Sequence, residues 1–393
     1  MKFLVALSSL KDGINKVMPA IPPKSTLPVL EHINLQLENN ELRMISTDQD
    51  ITILHNLEVT GLQNGRILVP ARKLNEITKA LGNSGEIEFE IDEVNFDIKL
   101  KTSTGKYHMK GLNPDEYLDL PELFESNKPD FDGENITGDL VGKAAFFTKS
   151  EISRLCTKTS FAVSNDEFRP AMTGVLFQFR SDYINAVSTD SYRLVRATSH
   201  PENPQLPEEV DVIIPSKTID LLKNVDDDVL LSFIENSSSN ITHIRFDVGS
   251  SVFVTRIIDE KFPPYESVIP NNNELIARVD KAELLKSIKL VSIFSSNISK
   301  QIRVQLKENE LVIKGQDEDS GSDAVETIQC QYSGTEIEIG FNYKFLEDAV
   351  SNIDTGDEGE VLLTLSEPTR PALILPNEEA KELLMLIMPV RIS

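Results

Sequence analysis

The side chains best suited to chemistry in this chain are carboxylates. They stand in two look-alike segments, Ile45 to Asp50 (ISTDQD) and Val187 to Arg193 (VSTDSYR). A pair such as Asp48 and Asp50 has the charge and oxygen donors to ligate a divalent metal, or to divide acid and base work in a hydrolase. Asp190, near Arg193, could serve the same chemistry. Recurrence of one pattern at two places favours the plainer reading, a strand followed by a polar turn. A third acidic run, Asp317 to Asp323 (DEDSGSD), resembles a calcium loop. Its glycine is misplaced and no glutamate closes the pattern, so it reads as a hairpin loop. The 5 histidines are scattered without HExxH. The 2 cysteines, Cys156 and Cys330, offer neither a disulfide framework nor a CxxC metal site. GxSxG, GxxxxGK[ST] and GxGxxG are all missing, so neither catalysis nor a cofactor is expected.

The elements around these residues repeat. A helical stripe of Leu10, Ile14 and Val17 recurs as Ile152, Leu155 and Thr159, and again as Leu284, Ile288 and Val291. Each stripe follows a short apolar strand and leads into period-two segments: Ile33, Leu35, Leu37; Val175, Phe177, Phe179; Val304, Leu306. Asn39-Asn40 and Glu308-Asn309 suit tight turns. A second strand-to-helix joint follows in every copy: Leu68 to Ala80, Ile213 to Asn224 and Ile339 to Val350, the last out of register by a residue or two, marked by Pro70, Pro215 and Gly340. Periods of this length fit whole domains rather than solenoid repeats. The chain therefore reads as α+β, three copies of a domain in which two helices pack on antiparallel sheets. The boundaries fall at 1–124, 125–265 and 266–393, with an acidic insertion in Pro121 to Gly142.

Acids outnumber bases, 63 to 39, for a net charge of −24. The six predicted helices nevertheless sum to +6, leaving −30 elsewhere. A repeated domain places equivalent helices on one side, so a basic lining inside an acidic exterior would hold a polyanion by its backbone. Cysteine usage fits a reducing cytosol. No stretch approaches the length of an apolar membrane span. The amino-terminal MKFLVALSSLKDG reads as a first strand and helix, not a signal peptide.

At this point the ordered pieces identify a resemblance. STLPVL (Ser25 to Leu30), GVLF (Gly174 to Phe177), TDSYRL (Thr189 to Leu194), KFPPYESVIP (Lys261 to Pro270), EIGFN (Glu338 to Asn342) and the terminal MPVRI are similar to the bacterial sliding clamps, the beta subunit of DNA polymerase III. The resemblance spans the whole chain. It implies three clamp domains forming half of a ring, closed by a head-to-tail homodimer around double-stranded DNA. The implied partners are a replicative DNA polymerase, a clamp loader, and repair and translesion polymerases, with no membrane and a cytoplasmic location.

Carried over residue by residue, the resemblance implies a partner-peptide pocket of Met172, Thr189, Ser191, Tyr192, Arg193, Leu194, Pro263, Val268, Phe345, Pro371, Ile387, Met388, Pro389 and Val390. Ser191-Tyr192 stands where relatives more often have Gly-His, Phe345 where they have Tyr, and Ser267 where some have Arg. The implied DNA-lining residues are Lys11, Lys24, Arg72, Lys73, Lys79, Arg154, Lys158, Lys217, Lys223 and Lys286. Tyr107 and Phe294 are the implied dimer contacts. The competing readings are an acidic carboxylate hydrolase using Asp48 and Asp50 or Asp190, and an oligomeric scaffold that binds only proteins.

Overall fold

The computed structural model describes residues 1–118, 130–131, 135–137, 143–201, 209–355, 359–376 and 382–392. Most of the predicted acidic insertion lies outside them. Six α-helices are present among the described residues: α1 (Leu7–Val17), α2 (Ala71–Leu81), α3 (Lys149–Ser160), α4 (Ser216–Leu222), α5 (Lys281–Ser292) and α6 (Tyr343–Asn352). The chain divides into two compact units, one holding the described residues of 1–150 and 224–257, the other those of 151–223 and 258–392.

In the first unit an eight-stranded antiparallel sheet runs in the order Ala144–Phe147, Val229–Glu235, Ile241–Val248, Ser251–Arg256, Ile51–Glu58, Glu41–Thr47, His32–Glu38 and Gly65–Pro70. A five-stranded sheet ends at the edge strand Lys106–Lys110. Leu7, Leu10, Ile14 and Val17 lie along one face of α1 and are buried, as helical spacing requires. Gly13 permits close approach to the sheet: a Cβ there would meet Met44 Sδ at 2.8 Å and His55 Cδ2 at 3.1 Å.

The second unit is organised on a twelve-stranded antiparallel sheet. Its order is Val210–Pro215, Gly174–Phe179, Ile184–Thr189, Arg193–Ser199, Leu383–Ile387, Ala372–Leu375, Glu360–Leu365, Leu275–Asp280, Ser322–Gln331, Glu310–Asp317, Gln301–Lys307 and Ile337–Asn342. The ladder Arg193–Ala197 against Leu383–Ile387 makes the sheet continuous across sequence-distant segments. α5 and α6 pack together over it.

The repetition is topological as well as sequential. His32–Glu38 pairs with Glu41–Thr47 on one side and Gly65–Pro70 on the other. Gly174–Phe179 lies likewise between Ile184–Thr189 and Val210–Pro215, and Gln301–Lys307 between Glu310–Asp317 and Ile337–Asn342. A shared tie joins the helix end to the neighbouring strand. Ser46 Oγ donates to the Val17 carbonyl at 2.6 Å and Ser188 Oγ to the Thr159 carbonyl at 2.6 Å. In the third copy the hydroxyl comes from the helix end itself, Ser295 Oγ donating to the Val291 carbonyl four residues earlier at 3.2 Å. Gly315, where a Cβ would stand 2.7 Å from that hydroxyl, leaves it room.

The second joint of the third copy is shifted by two residues, within the slip of register that the sequence shows. Pro70 and Pro215 are the N-caps of α2 and α4, but Gly340 lies within a strand and Asn342 caps α6, its side chain accepting from Lys344 N at 3.0 Å. Gly340 serves another purpose. A Cβ there would sit 2.7 Å from the Val390 carbonyl, and the Gly340 carbonyl accepts from Val390 N at 2.9 Å.

Candidate functional site

The carboxylates that opened the chemical question are turn-builders. Asp190 Oδ1 accepts from Tyr192 N and Arg193 N, both at 3.0 Å, and Thr189 Oγ1 donates to the Arg193 carbonyl at 2.7 Å. Asp48 Oδ1 accepts from Asp50 N at 3.1 Å and Ile51 N at 2.9 Å. A carboxylate accepting backbone donors in this way closes a tight turn rather than awaiting a ligand. Among the described residues no group of three or more His, Cys, Asp or Glu side chains could hold a metal ion. Asp317 and Ser322 pair at the end of a hairpin. Burial pushes the Cys156 and Cys330 thiols up, away from thiolate reactivity.

The turn at Asp190 stands at the seam of the twelve-stranded sheet and is decorated differently from its counterpart. Ser191 takes a left-handed φ of 79°, a conformation glycine adopts at less cost. Its Oγ lies 3.4 Å from Met172 Sδ and accepts from Arg169 Nη1 at 2.7 Å. Tyr192 is 63 % exposed and stacks on Phe345 with ring centroids 6.3 Å apart. Its carbonyl accepts from Met388 N at 2.8 Å, so the carboxy-terminal segment is sewn to the turn.

Arg193 ties the wall together. Its guanidinium pairs with Asp190 at 3.0 Å and Asp348 at 2.5 Å, donates to the Phe161 carbonyl, and lies 4.6 Å from the Phe345 ring centroid. Planar guanidinium suits this combined stacking and forked donation as an ammonium would not. The floor is apolar: Leu176, Val187, Leu194, Leu373 and Leu386 form one buried cluster with Phe262 and Tyr265, and Ala171, Ile269 and Met388 pack against it. Tyr265 OH donates to Gln178 Oε1 at 2.7 Å, and burial pushes its phenol up to about 12.

Most of the expected pocket residues are thus linked. Met172, Thr189, Ser191, Tyr192, Arg193, Leu194, Phe345 and Met388 are connected by the contacts above. Ile387 is the ladder partner of both Arg193 and Ala372, and Pro371, just before it, accepts from Asn273 Nδ2 at 3.1 Å. Val390 extends past Pro389 to the Gly340 bridge. Pro263 and the half-exposed Val268 join only through their neighbours Phe262, Tyr265 and Ile269. Arg169, Phe161 and Asp348 went unnoticed in the sequence. The first carried a weak local signal, an acid three residues earlier at Asp166; the other two carried none.

The cationic residues separate into two groups. Lys24, Arg72, Lys73, Lys79, Lys217 and Lys286 are exposed. Lys158 departs from the expected lining: it is buried at 8 %, with its ammonium 2.6 Å from the Asn352 carbonyl and 2.5 Å from Asp354 Oδ1. A cation at the carboxy-terminal end of α6 also meets the negative end of that helix. Arg154 bonds Thr198 and Glu382, Lys223 bonds Ser160 and Asp220, and Lys11 bonds Asn83. The helical charge count therefore overstates the open cationic surface. Tyr107 is half-buried on the edge strand Lys106–Lys110, and Phe294 is 39 % exposed beside the more open Ile293. No described helix is long and apolar enough to cross a membrane.

Three family models match in order: the N-terminal domain of the DNA polymerase III beta subunit over residues 1–121, its central domain over 147–264, and its C-terminal domain over 266–391. The beta sliding clamp of Pseudomonas putida is 27 % identical over 397 residues, covering 100 % of both chains. That of Bacillus subtilis strain 168 is 26 % identical over 403 residues, with the same coverage. The solved sliding clamp of Pseudomonas aeruginosa bound to griselimycin aligns over 100 % of both chains with a TM-score of 0.86 at 25 % identity. The DNA polymerase III beta subunit of Thermotoga maritima gives 0.84 at 21 %, again over 100 % of both. With all three domains matched in sequence order, the chain belongs to the DNA polymerase III beta subunit family, the beta sliding clamps.

Proposed function

We propose that the protein is a DNA sliding clamp, a non-catalytic processivity factor that encircles duplex DNA as a head-to-tail homodimer. It tethers the replicative polymerase, and in turn the clamp loader and repair or translesion polymerases, through the pocket at the Asp190 turn. The observation that carries this reading is family membership along the whole chain. The divisions 1–124, 125–265 and 266–393, and a cytoplasmic location, belong to the same proposal.

Exposed Lys24, Arg72, Lys73, Lys79, Lys217 and Lys286 supply phosphate contacts. Such contacts carry no sequence information and let a ring slide. Ring closure is supported by complementary strand edges. Among the described residues Lys106–Lys110 is an edge strand carrying Lys106 and Lys110 around Tyr107, with Lys110 paired to Asp97. Among the described residues Ser322–Gln331 meets Leu275–Asp280 at Arg278↔Gln331 and Val279↔Cys330, and the part before these pairs carries Asp323 and Glu326 around Val325, 57 % exposed. Edges of opposite charge favour pairing between copies over pairing of like with like.

The test is retention on DNA after loading. Protein should stay on a closed circle and be lost when the circle is cut, because a ring slides off an end. Equal loss from both forms rejects the ring. Lys73→Glu with Lys79→Glu should shorten retention at low salt, and unaltered retention would remove these residues from the DNA path.

A further inference from the structure

Phe168 is the most exposed large apolar side chain among the described residues, at 97 %. It does not stand on a loose tip. Ser164 N donates to the Met172 carbonyl at 2.8 Å, Asp166 N to Ser164 Oγ at 3.0 Å, and Phe168 N to Asp166 Oδ1 at 3.1 Å. One residue on, Arg169 Nε pairs with Asp166 at 3.1 Å while its Nη1 donates to Ser191 Oγ at 2.7 Å. A well-bonded loop thus holds an aromatic ring in water, directly beside the wall made by Met172, Ser191 and Tyr192. Full exposure of phenylalanine forgoes burial that the rest of the chain exploits. Among the described residues nothing covers the ring.

We propose that Phe168 is an outlying anchor of the partner-peptide pocket. It receives a large aliphatic or aromatic side chain lying just outside the segment that fills the groove between Met172 and Met388. The inference rests on the pocket reading above and deepens it: this chain reads a longer peptide than the groove alone would. Continuity supports that occupant, because Arg169 bonds the loop to the pocket turn. A second copy is the poorer fit. With Asp166 paired to Arg169, Glu167 leaves the face around the ring one charge negative, and two such faces on a molecule of net charge −24 would meet like with like. A terminal apolar residue on a rigid aromatic platform matches how a few anchors carry most of an interface's energy.

Fluorescence anisotropy with the full-length protein tests it. One probe is a labelled hexapeptide rich in leucine and phenylalanine; the others are the same peptide extended at either end by three residues containing leucine or, as control, serine. On the unaltered protein one leucine extension should bind about tenfold tighter than its serine control. Phe168→Ser should abolish that gain while the short peptide binds both proteins equally. A leucine gain that survives Phe168→Ser, or no gain at either end, overturns the anchor and leaves the pocket standing. Failure of the short peptide to bind overturns the pocket and the anchor together. A change in sedimentation between the two proteins would assign Phe168 to self-contact, again overturning the proposal.

Discussion

Two turns in this molecule share a skeleton and differ in what they display. Thr47 to Ile51 and Thr189 to Arg193 each have a threonine hydroxyl donating to the carbonyl four residues on. In each, an aspartate carboxylate accepts two following backbone donors, and a residue holds positive φ, Gln49 at 84° and Ser191 at 79°. At the closing position the first turn buries Ile51 at 1 % exposure, whereas the second places Arg193. The intervening residue is Asp50 in one and Tyr192 in the other. In the proposed pocket the same scaffold would thus carry a wall, through changed side chains at Tyr192 and at Arg193, which both pairs with Asp190 and reaches the Phe345 ring. A shared skeleton with changed side chains would separate stability from recognition everywhere but at Arg193, which serves both.

That separation is open to attack. The largest effect is expected at the closing residues. Arg193→Leu leaves Asp190, 15 % exposed, without its cation, and should cost about 3 kcal/mol in denaturant unfolding while abolishing peptide binding. Ile51→Ala should cost about 2–4 kcal/mol as a cavity and leave peptide affinity alone; a loss of affinity there would break the comparison. Met388→Ala with Met172→Ala should weaken peptide binding about tenfold at little cost in stability, and unchanged anisotropy would reject the wall assignment. Ser46→Ala and Ser188→Ala remove the same hydroxyl tie and should each lose about 1 kcal/mol. Unequal losses would show that the two copies are not energetically equivalent.

The smallest effect concerns protons. His55, beside its Nδ1 partner Ser251 at 2.8 Å, has its pKa lowered by burial from the ordinary 6.5, with Asp12 and Asp226 opposing and Lys16 reinforcing the shift. Below that pH the unfolded chain binds more protons than the folded one. Stability should therefore be complete above pH 6.5 and decline as pH falls through it. His32 and His243 shift in the same direction through burial. His55→Asn should flatten part of that slope in thermal melts, and an unchanged slope would clear His55 of the effect.

Periodicity made much of this legible. The helical stripes, the tight turns at Asn39 and Asn309, and the order of strands all follow from local spacing. The second joint of the third copy, which no proline marks, lies a residue or two out of register as the sequence suggests, with Asn342 capping the helix through its side chain. The resemblance places Lys158 on a lining helix, but its partners, Asn352 and Asp354, lie 194 and 196 residues away in sequence. Position along one helix carries no record of such a partner. The same holds for Asp348 and Phe161 around Arg193, which only tertiary packing brings together.

The ladder of Arg193–Ala197 against Leu383–Ile387 also has a mechanical meaning. A tethered polymerase would tug at Tyr192 and Met388, where that ladder ends. Tension along the strands would load its hydrogen bonds together in shear, whereas tension across them would open the bonds one after another from the Arg193 end. The bearing of the towline would then decide how much force the attachment withstands.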